Sequence, residues 1–274
     1  MMMSDEQIDA RYFKKKKPKF ESYQYHNREL HFAETGEDTL PIVVFVHGAP
    51  GAWYGYIDYL DDSLMQTKYN MISIDRPGYG KSNYGKALTS IAEQARILKP
   101  LLERKRKKRK LILVGRSYGC PIVLKAAADY PDLVDGIVLL APAVDPKREK
   151  FWWFSKLANS GLMRAILPRM LNVASSEKFS HALELKILEK DLKKVRQKIV
   201  LMQGLKDQVI EPENVCYIDS ALTENFQKEL IIFDDCDHFI STNKATEVKQ
   251  AIDKMFLEMD ELENQSHLMN DNKL

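Results

Sequence analysis

One pentapeptide, Gly115-Arg116-Ser117-Tyr118-Gly119, constrains this 274-residue chain more than any other stretch. It follows the apolar run Leu111–Val114 and precedes a helix-like stretch, Pro121–Tyr130. A Gly-x-Ser-x-Gly sequence between a strand and a helix is typical of a nucleophile elbow, in which the serine occupies a strained turn and larger flanking residues would collide. The pattern therefore predicts a catalytic role for Ser117. The alternative is an ordinary strand-to-helix turn with a solvated serine.

Short apolar runs without polar alternation predict strands that are buried on both faces. They are Ile42–Val46, Met71–Ile74, Leu111–Val114, Ile137–Leu140, Ile199–Met202 and Leu230–Phe233. Helix-like stretches separate most of them: Tyr56–Gln66, Ser90–Lys107, Pro121–Tyr130 and Lys244–Met259. Two further runs, Phe20–Tyr25 and Arg28–Ala33, predict a β-hairpin. Strands that alternate with helices predict an α/β fold with a mostly parallel, doubly wound sheet and right-handed crossovers.

The predicted core, residues 20–144 and 197–262, is interrupted by a segment far longer than a usual crossover. Residues 145–196 contain three helix-like stretches, punctuated by Gly161 and Pro168: Phe151–Asn159, Leu162–Leu167 and Glu177–Val195. We expect them to form an inserted helical cap. We expect residues 1–19 to be a mobile basic arm and residues 263–274 to be a disordered tail.

Composition excludes some classes of protein without naming a partner. The net charge is +2, and no apolar run approaches the ~18 residues that a membrane span requires. The N-terminus lacks the apolar segment of a secretory signal. Three scattered cysteines, Cys120, Cys216 and Cys236, do not fit a disulfide framework or a zinc site, and they favour a reducing, cytoplasmic location. We find no metal-binding pattern and no phosphate-binding glycine loop, so we expect no metal and no cofactor.

Polar residues follow the predicted strands at their carboxyl ends, where ligands bind in open parallel sheets. His47-Gly48-Ala49-Pro50-Gly51 follows the first buried strand, and Asp75–Ser82 follows the second. Gly204–Asp207 follows the fifth, and Asp237-His238-Phe239 follows the sixth. A serine, an acid and a histidine in that chain order match an acyl-transfer triad on this scaffold.

These segments together resemble the α/β-hydrolase fold family with a cap, of the esterase, lipase and proline-iminopeptidase kind. The resemblance covers roughly Phe20–Leu257. The His-Gly-x-Pro loop, the Asp-x-Pro-Gly-x-Gly-x-Ser stretch, the elbow, and the Gly-x-x-Asp and Asp-His segments occur together in family order. Arg116 departs from the pattern, because many relatives carry histidine there, and Cys120 stands where many carry glycine. Both changes alter the packing around the elbow without removing a catalytic atom.

The resemblance and the chemistry assign roles to three residues. Ser117 is the expected nucleophile, and it needs His238 as a base. Asp207 is the expected acid that orients His238, with Asp145 as its rival because some relatives place the acid after the earlier strand. Asp75 is expected to brace a turn.

The oxyanion hole needs two N–H donors. We expect one to be the backbone of Tyr118, at the start of the elbow helix. The other should be the backbone of Ala49, since Pro50 has no N–H. His47 is expected to hold this loop in shape.

Two stretches have competing interpretations. The basic run Arg104–Lys110 could bind nucleic acid, but a helix C-terminus explains it better, so we expect no nucleic-acid partner. Phe151–Phe154 could line an acyl pocket, make a weak membrane-surface contact or attach the cap to the body. We expect four residues of the insertion to line the substrate pocket: Trp152, Trp153, Leu162 and Met163.

Three function hypotheses follow. The first is a serine hydrolase that cleaves a small-molecule carboxylic ester with a medium apolar acyl group. The second is an aminopeptidase that resembles proline iminopeptidases and would use cap carboxylates such as Glu177 and Glu184 to bind a free amine. The third is a non-catalytic binding protein. The aspartate nucleophile that epoxide hydrolases and dehalogenases carry is absent. The sequence does not determine the oligomeric state.

Overall fold

The computed structural model describes residues 3–13, 16–106, 109–149, 166–222 and 227–271. These residues build one eight-stranded sheet in the order β1-β2-β4-β3-β5-β6-β7-β8. The strands are β1 (Lys19–Tyr25), β2 (Arg28–Thr35), β3 (Ile42–Val46), β4 (Asn70–Ile74), β5 (Leu111–Arg116), β6 (Gly136–Leu140), β7 (Lys198–Gly204) and β8 (Lys228–Phe233). The pairings β1–β2 and β2–β4 are antiparallel, whereas all pairings from β4 through β8 are parallel. The predicted α/β class and mostly parallel sheet are therefore confirmed.

Helices cover both faces of the sheet. They are α1 (Asp5–Arg11), α2 (Ile57–Leu60), α3 (Ser63–Lys68), α4 (Ile91–Arg106), α5 (Gly119–Asp129), α6 (Arg169–Leu192), α7 (Asn214–Ala221), α8 (Ile240–Asn243) and α9 (Ala245–Asp271). Apolar side chains of α4, α5, α6 and α7 form one core with the sheet, and those of α1, α2, α3, α8 and α9 form the other. Every residue of β3, β4 and β6 is buried, which explains why the central strands lack polar alternation. Within the described ranges, no helix is long and apolar enough to cross a membrane.

The N-terminal segment is docked on the body, and the expected mobile arm is wrong for residues 3–13. Helix α1 begins with a capping box in which the Ser4 hydroxyl and the Gln7 side chain each bond the other residue's backbone. Ile8 and Tyr12 are buried, and Arg11 forms ion pairs with two carboxylates of the α2 region. The Ser-x-x-Gln spacing was the sequence signal for this helix.

The C-terminal segment is also ordered further than expected. Helix α9 continues to Asp271, so the predicted disordered tail from residue 263 is wrong over residues 263–271. Met255 and Phe256 dock the helix on the sheet, and Lys110 pairs with Asp260 and, at 2.8 Å, with Glu263. Once docked, a helix propagates at little cost per residue, which explains the extension.

The described part of the insertion contains one long helix, α6, which starts earlier than the predicted Glu177–Val195. Its buried stripe (Val173, Glu177, His181, Leu185, Leu188 and Leu192) recurs at helical spacing. The two helix-like stretches predicted before it, Phe151–Asn159 and Leu162–Leu167, lie almost entirely outside the described residues.

The basic run Arg104–Lys110 begins in the last turn of α4, and several of its described members form ion pairs with the body. The pairs are Arg104–Glu21, Lys105–Glu34, Arg106–Asp135 and Lys110–Glu263. These contacts agree with the structural interpretation of the run, and the absence of a nucleic-acid partner stays a prediction.

Candidate active site

Ser117 occupies the turn between β5 and α5, and its backbone is strained. Its φ is +52°, in the left-handed region that residues other than glycine seldom adopt. Its N–H donates to Leu140 O at 2.9 Å, and its carbonyl accepts from Cys120 N at 3.0 Å. These bonds hold the turn in the conformation of a nucleophile elbow.

The flanking glycines are required by close packing. A Cβ at Gly119 would lie 2.3 Å from Val46 O, at the end of β3. A Cβ at Gly115 would lie 2.9 Å from Cys120 Cα. Only glycine at both positions lets the elbow approach β3 and the start of α5 this closely, as the sequence pattern predicts.

Asp207 and His238 are paired at the same edge of the sheet, after β7 and β8. Asp207 Oδ2 lies 2.8 Å from His238 Nδ1, and the aspartate side chain is fully buried. Asp207 Oδ1 accepts from the N–H groups of Val209 and Ile210, each at 2.8 Å. Burial alone would raise the pKa of Asp207, but hydrogen bonds from His238 and from these amides outweigh burial and lower the pKa.

This pairing determines the tautomer of His238. An ionised carboxylate can only accept, so Nδ1 of His238 donates to Asp207 and Nε2 keeps its lone pair. An imidazole in this form can take a proton at Nε2, as a general base must. No hydrogen bond joins Nε2 to Ser117 Oγ in the structure, and such contacts commonly tighten only when a substrate binds.

The two loops that carry Ser117 and His238 meet through Arg116. Its guanidinium donates to the Ser241 hydroxyl at 3.1 Å, and Ser241 lies three residues after His238. Tyr59 donates to the Ser241 carbonyl at 2.7 Å, so this loop is held on both sides. Arg116 is therefore a structural link between these two segments.

The rival acid, Asp145, has partners of its own. Its carboxylate accepts from Lys147 N at 2.8 Å and pairs with Arg148 at 3.4 Å. Its N–H donates to Asn214. The structure brings Asp207, and not Asp145, to His238.

The loop after β3 contains a buried, neutral histidine. Nδ1 of His47 lies 2.7 Å from Gly48 O, and Nε2 accepts from Arg76 N–H at 3.0 Å. Burial and the nearby Arg76 charge lower the pKa of His47 well below its usual value. Both ring nitrogens are used in shaping the loop, as expected for a structural role.

The two expected oxyanion donors are available. Neither the Ala49 amide nor the Tyr118 amide donates to another residue within the part of the chain that the structure describes. Tyr118 lies immediately before α5, where the helix dipole favours an anion. Their role in binding an oxyanion stays a prediction.

Asp75 braces the loop after β4. Its carboxylate accepts from Trp53 N at 2.8 Å and from Lys81 N at 2.9 Å, and it contacts His31 Nδ1 at 2.8 Å. These contacts agree with the structural role expected of it. Cys120 is buried, and burial raises the pKa of its thiol, which therefore stays protonated.

The pocket-lining residues predicted in the insertion, Trp152, Trp153, Leu162 and Met163, lie outside the described residues. Their role stays a prediction.

Sequence reasoning missed a buried polar cluster between α6 and the body. Glu177 forms an ion pair with Arg76 at 2.6 Å and accepts from the Tyr79 hydroxyl at 2.6 Å. One turn later, His181 stacks on the Tyr118 ring with centroids 4.4 Å apart. No local pattern signals these contacts, because the partners are distant in sequence.

Comparisons with known proteins agree with this fold. A family model described as "alpha/beta hydrolase fold" matches residues 41–162. Epoxide hydrolase 1 of Caenorhabditis elegans is 30% identical over 132 residues, which are 47% of this chain and 30% of the relative. The matches to curated relatives cover less than half of each relative's length.

Solved structures extend the likeness over most of the chain. An epoxide hydrolase from Vigna radiata has a TM-score of 0.68 at 16% identity, covering 88% of this chain and 98% of that one. A bacterial membrane phospholipase A has a TM-score of 0.65 at 21% identity, covering 87% and 86%. At these identities the likeness concerns the fold.

Proposed function

The chain belongs to the α/β-hydrolase fold superfamily, and on that premise we propose that it is a serine hydrolase that cleaves carboxylic esters through an acyl-enzyme intermediate. The observation that carries the proposal is the strained Ser117 at the elbow together with the Asp207–His238 pair at the same sheet edge. Each of the three residues lies just beyond the carboxyl end of a strand.

The chemistry follows from this arrangement. Ser117 Oγ attacks the ester carbonyl while His238 Nε2 takes its proton, and the resulting oxyanion binds to the amides of Ala49 and Tyr118. The protonated His238 then gives its proton to the leaving alcohol as the ester C–O bond breaks. Water attacks the acyl-enzyme with His238 again as the base, which releases the acid and restores Ser117. Asp207 stays ionised, orients the imidazole and stabilises its charged form.

Epoxide hydrolysis is the reaction in the name of the C. elegans relative, but it is less well supported here. The resemblance implies an aspartate nucleophile for epoxide hydrolases of this fold, whereas this chain carries Ser117 at the elbow. A serine at the elbow favours attack on an ester carbonyl.

The aminopeptidase alternative loses its expected amine ligands. Glu177 is committed to Arg76 and Tyr79, and Glu184 accepts from Ile91 N at 2.8 Å. Neither carboxylate is arranged to meet a substrate amine. The preference for a medium apolar acyl group rests on Trp152, Trp153, Leu162 and Met163 and is part of the proposal.

Labelling with a fluorophosphonate and hydrolysis of a series of p-nitrophenyl esters test the proposal. We expect labelling and turnover in the wild-type protein and neither in a folded Ser117→Ala variant. Each buried substrate methylene contributes up to about 0.8 kcal/mol, so kcat/KM should rise about fourfold per methylene from acetyl towards hexanoyl or octanoyl.

Parallel panels of aminoacyl anilides and epoxides separate the alternatives. Strong cleavage of prolyl anilide with a flat response to acyl length would favour the aminopeptidase. Turnover of epoxides that survives Ser117→Ala would also refute the proposal.

A further inference from the structure

Arg76, which follows β4, is fully buried, and each of its three guanidinium nitrogens donates hydrogen bonds. The acceptors are His47 O (2.8 Å), Gly48 O (3.0 Å), Gln94 Oε1 (2.9 Å), and both carboxylate oxygens of Glu177 (2.6 and 3.1 Å). Two of these acceptors are backbone carbonyls of the loop that carries the expected oxyanion donor. The side chain therefore joins that loop to helix α6.

The Gly48 carbonyl and the Ala49 N–H belong to one planar peptide unit. This peptide is trans, so its C=O and N–H point in opposite directions. The Gly48 oxygen is held by Arg76 Nη2 at 3.0 Å and by His47 Nδ1 at 2.7 Å. Fixing the carbonyl on this side fixes the direction in which the Ala49 N–H points on the other.

The same hydrogen bonds also strengthen Ala49 as a donor. A charged guanidinium on the carbonyl draws electron density from the amide, because hydrogen bonds in a chain polarise one another. The orientation and the strength of the Ala49 N–H thus both depend on where the Arg76 guanidinium lies.

Glu177 determines that position. It is completely buried on α6, and its two oxygens clamp Arg76 in a fork-to-fork arrangement. Tyr79 donates to Oε2 at 2.6 Å and Gln94 donates to Oε1 at 3.2 Å, so the carboxylate itself cannot rotate. Burial alone would lower the pKa of Arg76, but Glu177 outweighs burial and raises it, which keeps the charge in place.

We propose that Glu177 is a positioning residue for catalysis, which acts through Arg76 and the Gly48 carbonyl to aim the Ala49 N–H at the oxyanion. This inference rests on the proposed function for its kinetic consequence, but its geometric part concerns the loop alone. It makes α6 a component of the active-site framework.

Glu177→Gln is the direct test, and Glu184→Gln is its matched control. Both residues lie on α6 and bridge it to the body, but Glu184 bonds the Ile91 amide and does not contact the loop. Since misplacing a reacting group by about 1 Å can cost about 100-fold, we expect kcat to fall about 10- to 100-fold in Glu177→Gln with little change in KM. The kcat of the Glu184→Gln control should stay within about twofold of the wild-type value.

Binding of an aliphatic trifluoromethyl ketone separates positioning from general damage. Its serine adduct carries an oxyanion, so its affinity should fall by the same factor as kcat/KM in Glu177→Gln. A loss of activity that merely follows the fraction of folded protein, or that is equal in the control, would overturn the proposal.

Removing one partner of a buried ion pair can prevent folding, so a double variant is included. Arg76→Met combined with Glu177→Met removes both charges together, and such apolar replacements are often tolerated. It should fold, retain labelling of Ser117 at a reduced rate, and show the same loss of kcat. Wild-type kcat in the folded double variant would contradict the role of the pair.

A readout that does not require turnover is the amide resonance of Ala49 in a ¹H–¹⁵N spectrum. It should shift in Glu177→Gln and in the double variant, and it should stay in place in Glu184→Gln. If the wild-type protein lacks esterase activity but Ala49 shifts, the proposed function fails and the positioning stands. If the enzyme is active and Ala49 does not shift, the positioning fails and the function stands.

Discussion

His47 and His238 both follow strands at the carboxyl edge of the same sheet, but their rings are held differently. His47 is completely buried, and both of its ring nitrogens are bonded within the loop. His238 is 12% exposed and has one ring nitrogen bonded to Asp207, while Nε2 has no partner within the described part of the chain. The comparison shows that strand-end position alone does not make a histidine catalytic. The partners of its two nitrogens separate a structural residue from a candidate base.

A histidine-to-glutamine substitution can be made at each of these two positions, and the larger loss of activity is expected at the candidate base, His238. His238→Gln removes the group that takes the proton from Ser117, so kcat should fall by a factor on the order of 10⁴–10⁶. Because fully buried Asp207 loses the hydrogen bond from His238 but keeps those from two backbone amides, we also expect a loss of about 1–3 kcal/mol in the free energy of unfolding. Ester hydrolysis and thermal denaturation of one preparation test both. Near-normal turnover in the folded variant would remove His238 from the mechanism.

The second prediction concerns the partner that distinguishes the two rings. Asp207→Asn presents an N–H or a weaker acceptor to Nδ1 and permits the wrong tautomer of His238, so kcat should fall by about 10⁴. Asp145→Asn is the matched control, since Asp145 bonds Lys147 N and Arg148 and should leave kcat within a few-fold of the wild-type value. Comparable losses in the two variants would mean that His238 is not oriented by Asp207 alone.

Much of this site could be predicted from the sequence because its signals are local. Gly-x-Ser-x-Gly reports a turn that only glycine flanks allow, and Asp207 and His238 each follow a recognisable apolar strand. Chain order then suggested the pairing that the structure contains.

The rest depends on contacts between distant segments, which no local pattern records. Arg76 and Glu177 are 101 residues apart and are both fully buried, yet in the sequence each looks like an ordinary exposed charge. The burial of Tyr12 and the continuation of α9 to Asp271 likewise follow from docking on the body. The sequence predicted α4, α5 and α9 but not α1 or α7, and it did not indicate the surface against which each helix packs.

The third prediction applies the glutamine substitution to His47. The new side chain can still accept from Arg76 N–H, but it loses the donor to Gly48 O. We expect a loss of about 1–3 kcal/mol in the free energy of unfolding, as for other buried hydrogen-bonding groups that lose a partner. Since Arg76 still holds the Gly48 carbonyl, kcat should fall at most about tenfold. Denaturant unfolding with parallel kinetics measures both, and a loss of activity as large as that of His238→Gln would erase the distinction between the two histidines.

The smallest expected effect is the contribution of His47 to the pH dependence of the free energy of unfolding. The folded protein holds His47 neutral with a pKa well below the usual 6.5, whereas the unfolded chain binds a proton there as the pH falls through 6.5. The unfolded state therefore carries more protons in this range, and the free energy of unfolding must decrease as the pH falls below 6.5, by at most about 1.4 kcal/mol per pH unit for one such group. Asp207 affects stability in a separate, more acidic pH range. Its pKa is lowered in the folded protein, so its stabilising contribution is lost only as the falling pH protonates its carboxylate.

The contribution of His47 to this pH dependence can be isolated by comparing two proteins. The free energy of unfolding is measured between pH 5 and 7 for the wild-type protein and for His47→Gln. The other histidines are common to both proteins, so their titration cancels in the difference. The stability difference should be largest at pH 7 and shrink towards pH 5, since the wild-type protein alone carries the unfavourable linkage at His47. A difference that is constant across the range would mean that His47 binds a proton equally in both states, and the assignment of the buried neutral ring would be wrong.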